Sequence, residues 1–150
     1  MNANVAGLAP ADHSFTPSRR AEAYARAHSF DCPTLVLDVD QVADRFHAIR
    51  RGLGRAAIHY AVKANPAREV IARLVEEGGR FDAASRAEIE LCLSLGARPE
   101  HVSFGNTVKK PADIAFAWIA GVSLFAADAE EELEKIAANA PGAEVYIRLI

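Results

Sequence analysis

The chain repeats one local design five times, and that repetition restricts its possible folds more than any other feature. Each copy is a short apolar run that ends in a polar or glycine-containing loop and leads on toward a helical pattern. The runs are Ile58-His59-Tyr60-Ala61-Val62-Lys63, Arg80-Phe81-Asp82-Ala83-Ala84-Ser85, Val102-Ser103-Phe104-Gly105-Asn106, Val122-Ser123-Leu124-Phe125-Ala126-Ala127-Asp128 and Glu144-Val145-Tyr146-Ile147-Arg148-Leu149-Ile150. Their ends recur at roughly twenty to twenty-five residues, slightly below the ~30 per unit of an eight-unit β/α barrel. Between them apolar residues return at helical spacing: Val70, Ile71, Leu74 and Val75 over 67–77, Ile89, Cys92 and Leu93 over 87–95, and Leu133, Ile136 and Ala137 over 129–140. Another helix, over 111–120, starts on Pro111, and Gly78-Gly79, Gly96, Gly121 and Pro141-Gly142 supply the stops. Strict alternation of strand and helix requires a parallel sheet with right-handed crossovers. The predicted class is α/β: a partial (β/α)8 TIM-type barrel with about five barrel strands.

Five strands do not close such a barrel, and an open parallel sheet leaves an unpaired edge and bare apolar faces. The chain therefore reads as the N-terminal portion of a larger protein, an incomplete barrel over 40–150 whose C-terminal remainder is absent. Residues 1–30 read as an arm with a short helix over 19–28. Residues 31–39, with the run Cys32-Pro33-Thr34-Leu35-Val36-Leu37-Asp38, read as a strand outside the barrel. A helix over 40–53 follows, with Val42, Phe46 and Ile49 on one side and Asp40 placed to cap it.

Lys63 is the candidate for chemistry. Alternation along its strand puts His59, Ala61 and Lys63 on one face, so an amine is held at the C-terminal end beside a small residue. In a β/α barrel that end is the mouth, where catalytic groups collect. A lysine buried there between apolar strands has its pKa lowered toward the neutral, nucleophilic amine, which makes Lys63 a candidate Schiff-base lysine. The alternative is plain: a lone strand-end lysine also marks where a strand meets water. Asp82 shares the inward sense of Lys63, and Arg148 lies opposite Val145, Ile147 and Leu149. Glu88 fits a capping box, Ser85-Arg86-Ala87-Glu88, with its carboxylate reaching back to the Ser85 N–H, as readily as a site role. Lys109-Lys110 reads as an exposed pair facing solvent rather than phosphate, His59 as barrel core, and Cys92 as the buried face of a helix.

Composition excludes several classes. A net charge of −3 gives no electrostatic reason to expect nucleic acid or an anionic membrane as partner. No apolar run approaches the ~20 residues of a membrane span. The start of the chain lacks the charge pattern of an export signal, and two isolated cysteines make no disulfide framework, so a cytoplasmic protein is expected. The histidines have no metal-ligand spacing, and no metal is expected.

The runs Tyr60-Ala61-Val62-Lys63-Ala64-Asn65, Phe81-Asp82-Ala83-Ala84-Ser85-Arg86-Ala87-Glu88-Ile89 and Phe104-Gly105-Asn106-Thr107-Val108-Lys109-Lys110, with Leu124-Phe125 before an acidic helix start, resemble the fold-type III pyridoxal-phosphate decarboxylases, in particular the bacterial ornithine/lysine branch. The resemblance runs from about Pro33 to Ile150. It implies a cofactor-carrying barrel, a β domain to which the 31–39 strand belongs, and a homodimer with active sites at its interface. Residue by residue, it implies that Lys63 holds pyridoxal 5'-phosphate and that Ala61, Asp82, Glu88 and Arg148 line the cofactor pocket. The implied activity is decarboxylation of a basic amino acid, ornithine or lysine, to a diamine for polyamine biosynthesis. The family's phosphate loop, the acid that pairs the ring nitrogen and the groups supplied across the dimer are expected downstream of this stretch. A cofactor-free regulatory homologue of the antizyme-inhibitor kind, an alanine racemase and a pyridoxal-phosphate carrier barrel stay open as alternatives. Retention of Lys63 and Asp82 counts against the first; the Phe104–Lys110 stretch and the Thr34–Asp38 strand favour the decarboxylase over the other two.

Overall fold

The computed structural model describes residues 17–149 and divides the chain into two units, 1–38 and 39–150. Of the N-terminal arm expected ahead of the helix over 19–28, residues 1–16 lie outside the described residues. In the first unit helix α1 (Arg19–Ala27) is capped by Ser18, whose Oγ accepts the Ala21 N–H at 3.1 Å. Residues 33–38 form no ladder within this unit; the strand expected over 31–39 is one that belongs to a second, β domain, and a strand exists only through its partner.

The second unit follows the predicted rhythm. Helix α2 (Val39–Leu53) leads into strands β1 (His59–Ala61), β2 (Arg80–Ala83), β3 (Val102–Phe104), β4 (Leu124–Ala127) and β5 (Glu144–Ile147), separated by α3 (Arg68–Glu76), α4 (Arg86–Ser94), α5 (Pro111–Ile119) and α6 (Glu130–Asn139). The five strands lie in sequence order and every pairing is parallel. Gly78, Gly96 and Gly121 take positive φ values of 72°, 92° and 92° just past their helices, the conformation in which glycine has no steric penalty.

Period-2 alternation sorts the strand residues. Phe81, Ala83, Val102, Phe104, Phe125 and Ala127 face the helices and are buried with Val70, Ile71, Leu74, Ile89, Cys92, Ile114, Ala117 and Ile136. Each fully buried large side chain there contributes roughly 1.5–3 kcal/mol. Two helix faces differ from the predicted ones. In α2, Ala43 and Phe46 are buried while Ile49 is half exposed, and Asp40 sits inside the first turn instead of capping it. In α6 the buried residues are Glu132 and Ile136, whereas Leu133 and Ala137 are exposed. The inward stripe thus shifts by one residue to admit a carboxylate.

That carboxylate explains a second departure. Lys109, expected in solvent, has no exposed side-chain surface, and only Lys110 is exposed. The Lys109 ammonium meets Glu132 Oε1 at 2.7 Å and donates to the carbonyls of Ala126 at 2.6 Å and Asn106 at 2.8 Å. All three of its donors are used, which is the condition for a buried lysine. Lys135 closes the cluster by pairing with the other Glu132 oxygen and donating to the Lys109 carbonyl. The β3–α5 loop is thereby tied to β4 and α6.

Candidate active site

The opposite face of the sheet is polar and carries the candidate site. Register places Ala61 beside Asp82 and Asp82 beside Ser103, so three neighbouring strands present these residues in one row. β1 stops at Ala61. Val62–Ala64 then form a single 3-10 turn, and Lys63 projects from that turn instead of from the strand itself. Its side chain is exposed, against the burial between apolar strands expected of it. Among the described residues its amine has no hydrogen-bond or ion-pair partner. Asn65 steadies the segment: its Oδ1 accepts the Ala67 N–H at 3.1 Å, and its carbonyl accepts the Tyr60 hydroxyl at 3.1 Å.

Asp82 is the centre of the polar face. Ser103 Oγ donates to its Oδ1 at 3.0 Å, and the Tyr146 hydroxyl donates to the same oxygen at 3.4 Å. Gly105 packs directly beneath: a Cβ placed on it would stand 1.8 Å from Asp82 Oδ1. Only glycine leaves room for the carboxylate here. Arg148, two residues beyond Tyr146 and on the same face, donates from Nη2 to the Gly105 carbonyl at 3.3 Å. His59 lies deeper along the face, with Nδ1 3.4 Å from Ser103 Oγ. Burial, reinforced by the Arg80 guanidinium, pushes its imidazole below the ordinary value, so it is neutral at physiological pH.

Glu88 stands apart from this group. Its Oε2 accepts the Ala84 N–H at 2.7 Å, and Ser85 Oγ accepts the Glu88 N–H at 3.3 Å. This is the anticipated capping box with its return bond displaced one residue, to Ala84 rather than Ser85. Cys92 is fully buried, and burial pushes its thiol up to about 12, with the Glu88 charge adding to the shift. Ser103, Gly105 and Tyr146 were not singled out from sequence. Their parity is the one signal they carry: Ser103 lies between Val102 and Phe104, Tyr146 between Val145 and Ile147, and Gly105 follows Ser103 by two residues. Among the described residues no group of three or more His, Cys, Asp or Glu side chains is placed to hold a metal ion, and no helix is long and apolar enough to cross a membrane.

The fold and the placement of these groups define a segment of a β/α barrel with an exposed lysine in the turn following its first strand. The chain belongs to the pyridoxal-dependent decarboxylases: residues 39–150 match the family described as "Pyridoxal-dependent decarboxylase, pyridoxal binding domain". It is 38% identical over 117 residues to a chloroplastic ornithine decarboxylase of Nicotiana glauca, covering 78% of this chain and 27% of that one. Antizyme inhibitor 2 of Xenopus laevis is 34% identical over 114 residues, covering 76% and 25%. The lysine/ornithine decarboxylase of Vibrio vulnificus, solved with putrescine and with cadaverine, superposes with a TM-score of 0.78 at 33% identity, covering 85% of this chain and 35% of that one. The chain thus spans about a quarter to a third of the length of these relatives.

Proposed function

We propose that this chain supplies the lysine-bearing part of a pyridoxal-phosphate decarboxylase acting on a basic amino acid, ornithine or lysine, and releasing the diamine. The observation that carries the reading is the row Ala61–Asp82 on adjacent strands, with Lys63 in the turn just beyond Ala61 and Arg148 reaching the same face. The residues present fit the cofactor. Lys63 has a free amine to receive an aldehyde, Ala61 is small enough to leave space beside it, and Asp82 keeps Oδ2 without a partner among the described residues.

Pyridoxal phosphate, when bound, supplies an electrophilic carbon for an amine and a ring that accepts the electron pair left when a carboxylate departs as CO2. Lys63 would hold that carbon covalently and yield it to the incoming substrate amine. Asp82 would orient a protonated nitrogen at the mouth, and Arg148, held against Gly105, would border the same space. Glu88 would act through the β2–α4 turn that it pins. Closure of the barrel and pairing into a homodimer would exclude water and bury Lys63, favouring its neutral form. A cytoplasmic role in polyamine synthesis is the setting this reading implies.

The test is borohydride reduction in the presence of pyridoxal phosphate, peptide mapping, and CO2 release from ornithine and lysine. A pyridoxyl label on Lys63, lost in Lys63→Ala, is expected; labelling of Lys110 instead would overturn the assignment. An antizyme inhibitor is among the relatives, so a protein that takes no label would favour a regulatory role.

A further inference from the structure

Two hydroxyls converge on Asp82 Oδ1, from β3 and from β5, although β5 is separated from β2 by both intervening strands. The reach is possible because those strands present little bulk at that level. Ala126 is the register partner of Tyr146, and Gly105 has no side chain at all, so the phenol can cross the sheet toward β2. Ser103 Oγ also lies 3.3 Å from the Phe81 carbonyl and 3.4 Å from His59 Nδ1, but its shortest contact is with Asp82.

We propose that Tyr146, together with Ser103, is a positioning residue that fixes the Asp82 carboxylate by holding Oδ1, so that Oδ2 is the oxygen presented to a protonated nitrogen at the mouth. An aspartate carboxyl otherwise turns broadly about its last torsion. Two donors on one oxygen, with the Gly105 backbone packed against the group, select one orientation. The phenol suits the task. Burial, then the charge and hydrogen bond of Asp82, raise its value above the ordinary one, so it remains a donor across neutral pH. The link to catalysis rests on the decarboxylase reading; the contact itself rests on distances.

The experiment has two arms, both in the protein carrying this chain in full. The Tyr146 ionisation is followed by ultraviolet absorbance, isolated as the difference from Tyr146→Phe. In Asp82→Asn its midpoint should fall by about half a unit or more, because a raising charge is gone. An unchanged midpoint would overturn the contact. The second arm is a double-mutant cycle in decarboxylation. Tyr146→Phe should lower kcat about five- to tenfold with KM within about twofold, and should cost nothing further in the Asp82→Asn background. Additive losses would mean that Tyr146 acts independently of Asp82 and would sink the proposal. If the unaltered protein neither takes the pyridoxyl label nor releases CO2, the decarboxylase reading fails, while the titration still decides whether Tyr146 holds Asp82.

Discussion

Lys109→Met should destabilise the fold far more than the same change at Lys110. Lys109 has no exposed side-chain surface and gives its three donors to Glu132 Oε1, Ala126 O and Asn106 O. Methionine preserves most of the volume, so the cavity contribution is small and the loss is polar. Removing one partner of a buried ion pair costs about 3–5 kcal/mol. Lys135 still neutralises Glu132, which puts the pair's share at the low end, while the two stranded carbonyls add about 1 kcal/mol each. A loss of about 5 kcal/mol follows, against no more than about 0.5 kcal/mol for exposed Lys110. The assay is urea unfolding followed by the fluorescence of the single tryptophan, Trp118, which lies in the helix that this loop enters. A cost below about 1 kcal/mol, or one matched by Lys110→Met, would refute the reasoning.

The same cluster sets an acid limit. For Glu132, burial alone would raise the carboxyl, but hydrogen bonds from Lys109 and Lys135 outweigh it and hold the group below 4.5. A carboxylate with a depressed folded value contributes stability that is fully present above its unfolded value and is lost as pH falls through the folded one. The advantage of wild type over Lys109→Met should therefore shrink below about pH 4.5. Lys109 moves in the opposite sense: burial lowers it from 10.5 despite the Glu132 pairing, and Lys135 adds repulsion. The partners differ because two ammonium groups outweigh burial at Glu132, whereas at Lys109 burial, with repulsion from Lys135, outweighs the Glu132 and Asp128 carboxylates. Stability held back by the buried lysine should be recovered as pH rises through its lowered folded value toward 10.5.

Two further outcomes follow from the site and the core. Gly105→Ala forces a methyl to within 1.8 Å of Asp82 Oδ1, so the carboxylate must move; steady-state kinetics should show at least about a tenfold loss in kcat/KM, with a folding cost of about 1–3 kcal/mol. A thiol reagent at pH 8 should modify exposed Cys32 quickly and spare Cys92 until the chain is denatured, since Cys92 is buried and raised to about 12; two fast thiols in the folded protein would contradict the buried assignment.

What was readable in the sequence was set by period. Apolar alternation and helical spacing depend on neighbours within a few residues, so all five barrel strands and the helices between them emerge close to where expected. Lys63 was singled out the same way, yet its strand stops two residues early because Val62–Ala64 coil into a 3-10 turn ahead of Pro66. The residues that failed are those whose environment comes from far along the chain. Lys109 looks like a surface lysine until α6 brings Glu132 against it from 23 residues away. The α6 stripe was misread for the same reason, since a pattern search counts Leu133 as inward and a glutamate as outward. Tyr146 is the sharpest case. It differs from the other apolar-strand residues only by parity and a hydroxyl, and its significance appears once Ala126 and Gly105 are known to clear a path to an aspartate 64 residues earlier. Local physics thus singles out the candidate lysine, while the groups that contact Asp82 are fixed by strand order and register, which the folded sheet alone supplies.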